Sequence, residues 1–146
     1  MGKIILDVND VCKSFSYGSN NLEVLKNFTL QLNKKEIITI SGQSGCGKST
    51  ALNIMGTLDR QDSGTISFEG IDINKLDENS LANFRNTKIG FVFQFHHLLP
   101  ELTALENASI PLWIKDEPFL ENNLIDLFKT LGIEDRINHY PSELSG

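Results

Sequence analysis

In one stretch, hydrophobic and polar residues alternate cleanly. Across "NFTLQLN" (27–33), Phe28, Leu30 and Leu32 share one face and Thr29, Gln31 and Asn33 the other. This is the period-two pattern of a strand with one wet face. Two shorter apolar runs precede it, "IILDV" (4–8) and "VCKSF" (11–15), followed by the turn residues of "YGSNN" (17–21). Together they predict an antiparallel sheet. "EIITI" (36–40) and "IGFVF" (89–93) are apolar on both faces, which predicts two buried parallel strands. "STALNIMGTL" (49–58) predicts a helix with Leu52, Met55 and Leu58 turned inward. "SGTISFEGIDI" (63–73) predicts a hairpin turning at Glu69-Gly70, with a helix over 77–86 after it. Beyond Gln94 the pattern becomes helical. "TALE" (103–106) fits a capping box, with Thr103 as N-cap and Glu106 reaching back. "LENNLIDLFKTLG" (120–132) sets Leu120, Leu124, Leu127, Phe128 and Leu131 on one stripe and ends at Gly132. The expected division is a core of residues 1–94 and a helical part of 95–146.

Composition narrows the class. With 146 residues, 40% hydrophobic and 22% charged, the chain suits a globular domain with a real core. A net charge of −6 argues against a general nucleic-acid binder, which needs a basic face to displace counterions. It leaves room for a local phosphate site made of backbone amides. Cys12 and Cys46 are too few for a disulfide framework and read as reduced thiols of the cytoplasm. The N-terminus has no apolar core long enough for a signal peptide. No apolar run approaches the ~18 residues of a membrane span, so service to a membrane would run through a partner.

The strongest chemical signal is "GQSGCGKS" (42–49), a full match to G-x-x-x-x-G-K-[ST] between a strand-type run and a helix-type run. Wrapping a polyphosphate requires a tightly turned backbone with its N–H groups pointing inward. Gly42, Gly45 and Gly47 remove the Cβ atoms that would block such a turn. The following helix offers free amides and the positive end of its dipole. Lys48 can reach the β- and γ-phosphates, and the Ser49 hydroxyl can ligate Mg²⁺. Gly42, Ser44, Gly45, Cys46, Gly47, Lys48, Ser49 and Thr50 form the candidate nucleotide-binding set. Cys46 reads as the occupant of a variable loop position rather than a reactive thiol.

From about Leu6 to Gly146 the chain resembles the ATP-binding subunit of an ABC transporter. This implies an α/β phosphate-loop NTPase head with an antiparallel β subdomain and a partial helical subdomain. It also implies ATP and Mg²⁺ as cofactors. Tyr17 lies 25 residues before Gly42, where this family places an aromatic that stacks on adenine. The alternative is a turn tyrosine packed on the sheet. Gln94, after "GFVF", matches the family's glutamine loop, which reaches the metal or attacking water, so Lys48 and Gln94 are the candidate catalytic residues and Ser49 and Gln94 the candidate metal ligands. "LSG" (Leu144, Ser145, Gly146) is similar to the start of the Leu-Ser-Gly-Gly-Gln signature, which faces the nucleotide of the other subunit in a head-to-tail homodimer. "VLKNFTL", "LGIEDR" and "FVFQFHHLLPELTALEN" are similar to the LolD branch of lipoprotein-releasing ATPases. The branch's relatives serve macrolide export (MacB) and cell-division signalling (FtsE), and these stand as the alternative function. The LolD likeness implies integral membrane partners of the LolC/LolE type, peripheral placement at the cytoplasmic face of the inner membrane, and no nucleic-acid partner. It sets residues 95–101 where such ATPases touch the membrane subunit's coupling helix. His96 and His97 read as interface or core residues, because only His139 remains to complete a metal site.

The family's later parts are not found here. There is no apolar strand ending in Asp-Glu and no switch histidine, and the signature's second Gly and its Gln are not present. "NLIDLF" (123–128) has helical spacing and no Glu after Asp126. The expectation is a shortened form of a longer ATPase subunit, with phosphate binding but negligible hydrolysis. Two other readings compete: an interaction module that caps a full-length partner, and a soluble phosphate-loop kinase. The kinase gives no reason for Tyr17, Gln94 and the closing LSG together.

Overall fold

The computed structural model describes residues 2–18, 20–95, 97–115 and 121–144. Leu120, His96, Ser145 and Gly146 lie outside them. The chain divides into two compact units, Met1–Arg85 and Asn86–Gly146.

The first unit is built on an antiparallel sheet of order β2-β1-β3-β4. The two apolar runs at the N-terminus form one strand, β1 (Ile4–Tyr17), bent by register shifts around residues 8–14. It pairs with β2 (Asn20–Asn33), which contains the alternating run. Phe28, Leu30 and Leu32 are half-buried and Thr29 and Gln31 exposed, as the alternation requires. β2 ends where the Glu36 carboxylate accepts from the Asn33 N–H at 2.7 Å and Asn33 Nδ2 at 3.0 Å. Those donors hold the Glu36 pKa below its ordinary value.

α1 (Lys48–Met55) follows, then β3 (Ser63–Phe68) and β4 (Ile71–Asp72). The two-residue turn between β3 and β4 has positive φ at both Glu69 (50°) and Gly70 (85°). That is the type I′ geometry matching the strand twist. α2 (Glu78–Lys88) starts at Asp77, whose Oδ1 accepts from the Ser80 N–H at 2.7 Å. The bond holds the Asp77 carboxyl below its ordinary pKa. Val8, Val11, Ile54 and Ile66 are the fully buried centre of this unit, each stabilising it by roughly 1.5–3 kcal/mol through burial. Phe68 and Phe84 meet edge to face at 5.2 Å.

Two sequence expectations need correction here. α1 buries Ala51 and Ile54, whereas Leu52 and Leu58 are exposed and Met55 is half-buried. The entrance of α1 lies close to β2, where a Cβ on Gly47 would meet Val24 and Leu25 at 2.9–3.0 Å. Leu58 lies past the helix end, beyond the left-handed Thr57 (φ 60°), and so leaves the helical phase. The second correction concerns 36–40, which form no strand; Ile37 is 94% exposed. A parallel strand has no hairpin partner and depends on distant neighbours, and the described residues give this one none.

In the second unit, 89–93 also form no strand, and the Val92 side chain is fully exposed. The segment is extended enough for Phe91 and Phe93 to stack at 5.3 Å. α3 (Ala104–Lys115) begins at the expected capping box: Glu106 Oε2 accepts from the Thr103 N–H at 2.8 Å, and the Glu106 N–H donates to Thr103 Oγ1 at 3.3 Å. α4 (Glu121–Thr130) buries Phe128 and half-buries Leu124, but Leu127 and Leu131 are exposed. Leu131 has already left the helix. The helix stops there because the Gly132 N–H donates to Lys129 O (2.9 Å) and the Ile133 N–H to Phe128 O (3.0 Å), the paired bonds of a Schellman end. Among the described residues no helix is long and apolar enough to cross a membrane.

Candidate functional site

The residues Gly42–Cys46 form an exposed loop leading into α1. Gly45 and Gly47 hold φ of +82° and +93°, conformations that side chains with a Cβ rarely adopt. Their surroundings differ. A Cβ on Gly45 would meet nothing within 4 Å, whereas one on Gly47 would lie 2.9 Å from Val24 Cγ1 and 3.0 Å from both Leu25 Cδ2 and Val24 O. Gly47 therefore serves the fit of the loop against β2. Val24 and Leu25 escape a motif reading because their contact with the loop is non-local.

Gly47 is also the N-cap of α1, and it makes no side-chain cap bond. The first turn of the helix contains no acidic residue. The first amides of a helix have no partner inside it and carry the positive end of its dipole, and neither a cap side chain nor a first-turn acid offsets that end here. The half-buried Lys48 folds back over the loop, its Nζ donating to Gly42 O at 2.8 Å and Gln43 O at 2.6 Å. Nζ also lies 3.6 Å from Cys46 Sγ. An ammonium held by two carbonyls at an uncapped helix start is a cradle for an anion of high charge density. Ser49 is exposed in the first turn and Thr50 half-buried behind it.

Tyr17 ends β1 opposite Asn20, and it is 87% exposed. Its ring is not packed on the sheet. Gln94 lies in the second unit on an exposed bend after the stacked Phe91 and Phe93. The loop that follows is pinned by Asn107. Its Nδ2 donates to Leu99 O (3.1 Å), Leu102 O (2.9 Å) and Thr103 O (3.0 Å), and its Oδ1 accepts from the Leu99 N–H (2.8 Å). A lone asparagine inside a helix gave no hint of that role. His97 is exposed and meets the Phe93 ring edge to face at 4.9 Å. His139 Nε2 lies 3.2 Å from Arg136 Nη1. Among the described residues no cluster of three metal-ligating side chains occurs. Leu144 is half-buried after a short turn in which the Tyr140 N–H donates to Glu143 Oε2 at 2.8 Å. Ser145 and Gly146 of the candidate signature lie outside the described residues.

Glycine loop, inward lysine and uncapped helix together have the chemistry to receive a polyphosphate, and the chain belongs to the ABC transporter family, whose sequence profile matches residues 25–146. Among curated relatives, it is 46% identical over 144 residues to the lipoprotein-releasing system ATP-binding protein LolD of Bacteroides thetaiotaomicron, covering 97% of this chain and 64% of that protein. It is likewise 46% identical to the LolD protein of Geobacter metallireducens, with the same coverage. Among solved structures, the dimeric ABC transporter cassette MJ0796 superposes with a TM-score of 0.89 at 37% identity, over 97% of this chain and 64% of the cassette. A post-hydrolysis state of that cassette bound to ADP and Pi superposes with a TM-score of 0.88. The chain thus spans about two thirds of the length of these relatives, and the α/β cassette fold class expected from the sequence holds.

Proposed function

We propose that the chain is the nucleotide-binding part of an ATPase subunit that drives lipoprotein release from the inner membrane. The reaction of the whole subunit is ATP + H₂O → ADP + phosphate, coupled to integral membrane partners of the LolC/LolE type. The observation that carries this reading is the uncapped α1 with Lys48 held inside its loop, in a chain similar to LolD proteins along 97% of its length.

In this reading the amides of Ser44–Thr50 line the phosphates, and Lys48 exchanges its bonds to Gly42 O and Gln43 O for bonds to phosphate oxygens. Charge-assisted bonds of that kind are roughly twice as strong as neutral ones. Tyr17 presents its exposed ring to adenine, and π stacking holds a base without reading its edges. Mg²⁺ when bound offsets phosphate charge. Ser49 would hold it, and Gln94 would complete its shell or orient water; neither needs a protein carboxylate cage, because Mg²⁺ retains waters and binds substrate phosphates. Residues 1–94 would form the nucleotide core and 95–146 the helical part facing the membrane partner. Leu144, Ser145 and Gly146 would meet the nucleotide of a second subunit in a head-to-tail homodimer, at the cytoplasmic face of the inner membrane. The sequence offers no apolar strand closing in Asp-Glu to polarise water, so this chain alone is expected to bind without turnover.

Titration with MgATP, followed by melting temperature and by NMR of residues 42–50, tests the reading. Binding that shifts both, and is lost in Lys48→Ala, is expected. Steady hydrolysis by the 146-residue chain that Lys48→Ala abolishes would refute the division between binding and turnover. Unchanged signals at saturating MgATP would refute the site.

A further inference from the structure

Lys13 lies on β1, four residues before Tyr17. Its side chain is only 12% exposed, although lysine ammonium groups ordinarily reach water. Nζ donates to Asp59 Oδ1 at 2.9 Å and to Arg60 O at 2.5 Å, and stands 4.0 Å from Asp62 Oδ1. The Phe15 ring covers it, with its centroid at 5.2 Å. Asp62 adds two ties: its Oδ2 accepts from the Ser14 N–H at 2.7 Å, and its N–H donates to Cys12 O at 2.9 Å. Residues 12–14 of β1 are thereby fastened to 59–62, the segment that leaves α1 and leads into β3.

The other end of α1 meets the same rung of the hairpin. The register partner of Lys13 on β2 is Leu25, and Leu25, with Val24, packs against Gly47 at the start of α1. One cross-strand pair therefore touches the entrance of the helix through Leu25 and its exit through Lys13. Packing alone would serve stability at such a place: a well-packed apolar residue is commonly as stabilising as a buried ion pair, whose clearer use is to fix one geometry. The geometry fixed here is that of β1, which ends at Tyr17, relative to α1, which begins at the phosphate loop.

We propose that Lys13 is a positioning residue that sets the distance between the Tyr17 ring and the phosphate loop, so that one nucleotide spans both. This rests on the reading of Tyr17 as the base platform and of 42–50 as the phosphate site. Lys13 touches no ligand and acts through β1 and α1.

Two probes separate this role from general stabilisation: MgATP, and inorganic tripolyphosphate with Mg²⁺, which has the phosphate tail but no base. Lys13→Met keeps the apolar stem and removes the ammonium. Its expected effect is an approximately tenfold loss of ATP affinity, the scale of one base stack, with tripolyphosphate affinity unchanged. Lys13→Arg is expected to restore ATP binding. Equal loss for both ligands, or loss for neither, would overturn the proposal. Should Lys13→Met fail to fold, Asp59→Asn is expected to give the same selective loss, and absence of that selectivity overturns the proposal equally. Tyr17→Ala separates the layers. If it weakens ATP while Lys13→Met does not, the clamp falls and the platform stands. If Tyr17→Ala leaves ATP binding untouched, the platform falls and the clamp's role with it.

Discussion

Gly47→Ala is the most telling single perturbation of the site. The added methyl would lie 2.9 Å from Val24 Cγ1, 3.0 Å from Leu25 Cδ2 and 3.0 Å from Val24 O. The two side chains can yield by changing rotamer. The carbonyl oxygen is main chain, within the hairpin that β2 forms with β1, and it yields only if the hairpin shifts. Overpacking of this kind costs about 1–3 kcal/mol. A φ of +93° adds the strain of a left-handed residue, about 1–2 kcal/mol. The sum, about 2–5 kcal/mol, is a large part of the stability of a typical domain. In a unit of this size each kcal/mol moves the melting temperature by about 4–8 °C, so a fall of about 10 °C or more is expected. Gly45→Ala is the control. Its φ is +82° but a Cβ there meets nothing within 4 Å, so only the conformational strain applies. Urea denaturation followed by circular dichroism on both variants gives the comparison. If Gly47→Ala is no less stable than Gly45→Ala, the loop glycines act through backbone conformation alone and the β2 contact is irrelevant.

The core and the helix starts give further tests. Ile54 is 1% exposed and borders a cavity of about 210 Å³ also lined by Ile73, Leu81 and Thr57; Ile54→Ala is expected to cost about 2–5 kcal/mol, measured by urea unfolding. Thr57 Oγ1 is buried with no hydrogen-bond partner among the described residues, so Thr57→Val, which keeps the shape and the backbone strain, is expected to stabilise the fold by about 1 kcal/mol; a loss would show that water in the cavity satisfies the hydroxyl. Asp77 and Glu106 are held below their ordinary pKa by donors on Ser80 and Thr103. A depressed folded pKa stabilises above the unfolded values, about 3.9 and 4.3, and that stability is lost as pH falls through the lower folded values. Amide exchange at the first turns of α2 and α3 is therefore expected to quicken on acidification below about pH 4, ahead of exchange in the β1–β2 ladder; simultaneous loss would refute it.

What the sequence revealed was what local chemistry decides. Alternation at Phe28, Leu30 and Leu32 marked the strand face, Glu69-Gly70 marked the turn, and Thr103 with Glu106 marked the start of α3, because in each case the cause lies within a few residues. The glycine loop and the helix that follows it were legible for the same reason: the glycines, lysine and serine lie within eight positions. The inward side of α1 was not, because Ala51 and Ile54 are the residues it buries and the room at its entrance is set at Gly47 by Val24 and Leu25 across the fold. The Lys13–Asp59 tie was invisible too: its partners are 46 residues apart and neither belongs to a motif. Apolar composition identified 36–40 and 89–93 as strand material. Composition could not say whether the described residues would pair with them, since a parallel neighbour is set by topology.

Those two segments yield a prediction with an unusual sign. Ile37 and Val92 are among the most exposed large apolar side chains of their respective units, at 94% and 102%. Burial contributes stability only through area removed from water, and these side chains remove almost none. Ile37→Lys and Val92→Lys should therefore change unfolding free energy by no more than about 0.5 kcal/mol, the ordinary range for surface positions. Exposed apolar strand-type segments with unpaired backbone invite edge-to-edge association, and an added lysine is the usual guard against it. The double variant is accordingly expected to match the parent in urea midpoint while scattering less light on concentration. A clear drop in the midpoint would mean that one of these side chains is covered in solution. Were light scattering unchanged with the midpoint preserved, association would have to start from another apolar surface, with the exposed Trp113 and Ile114 of α3 next in line.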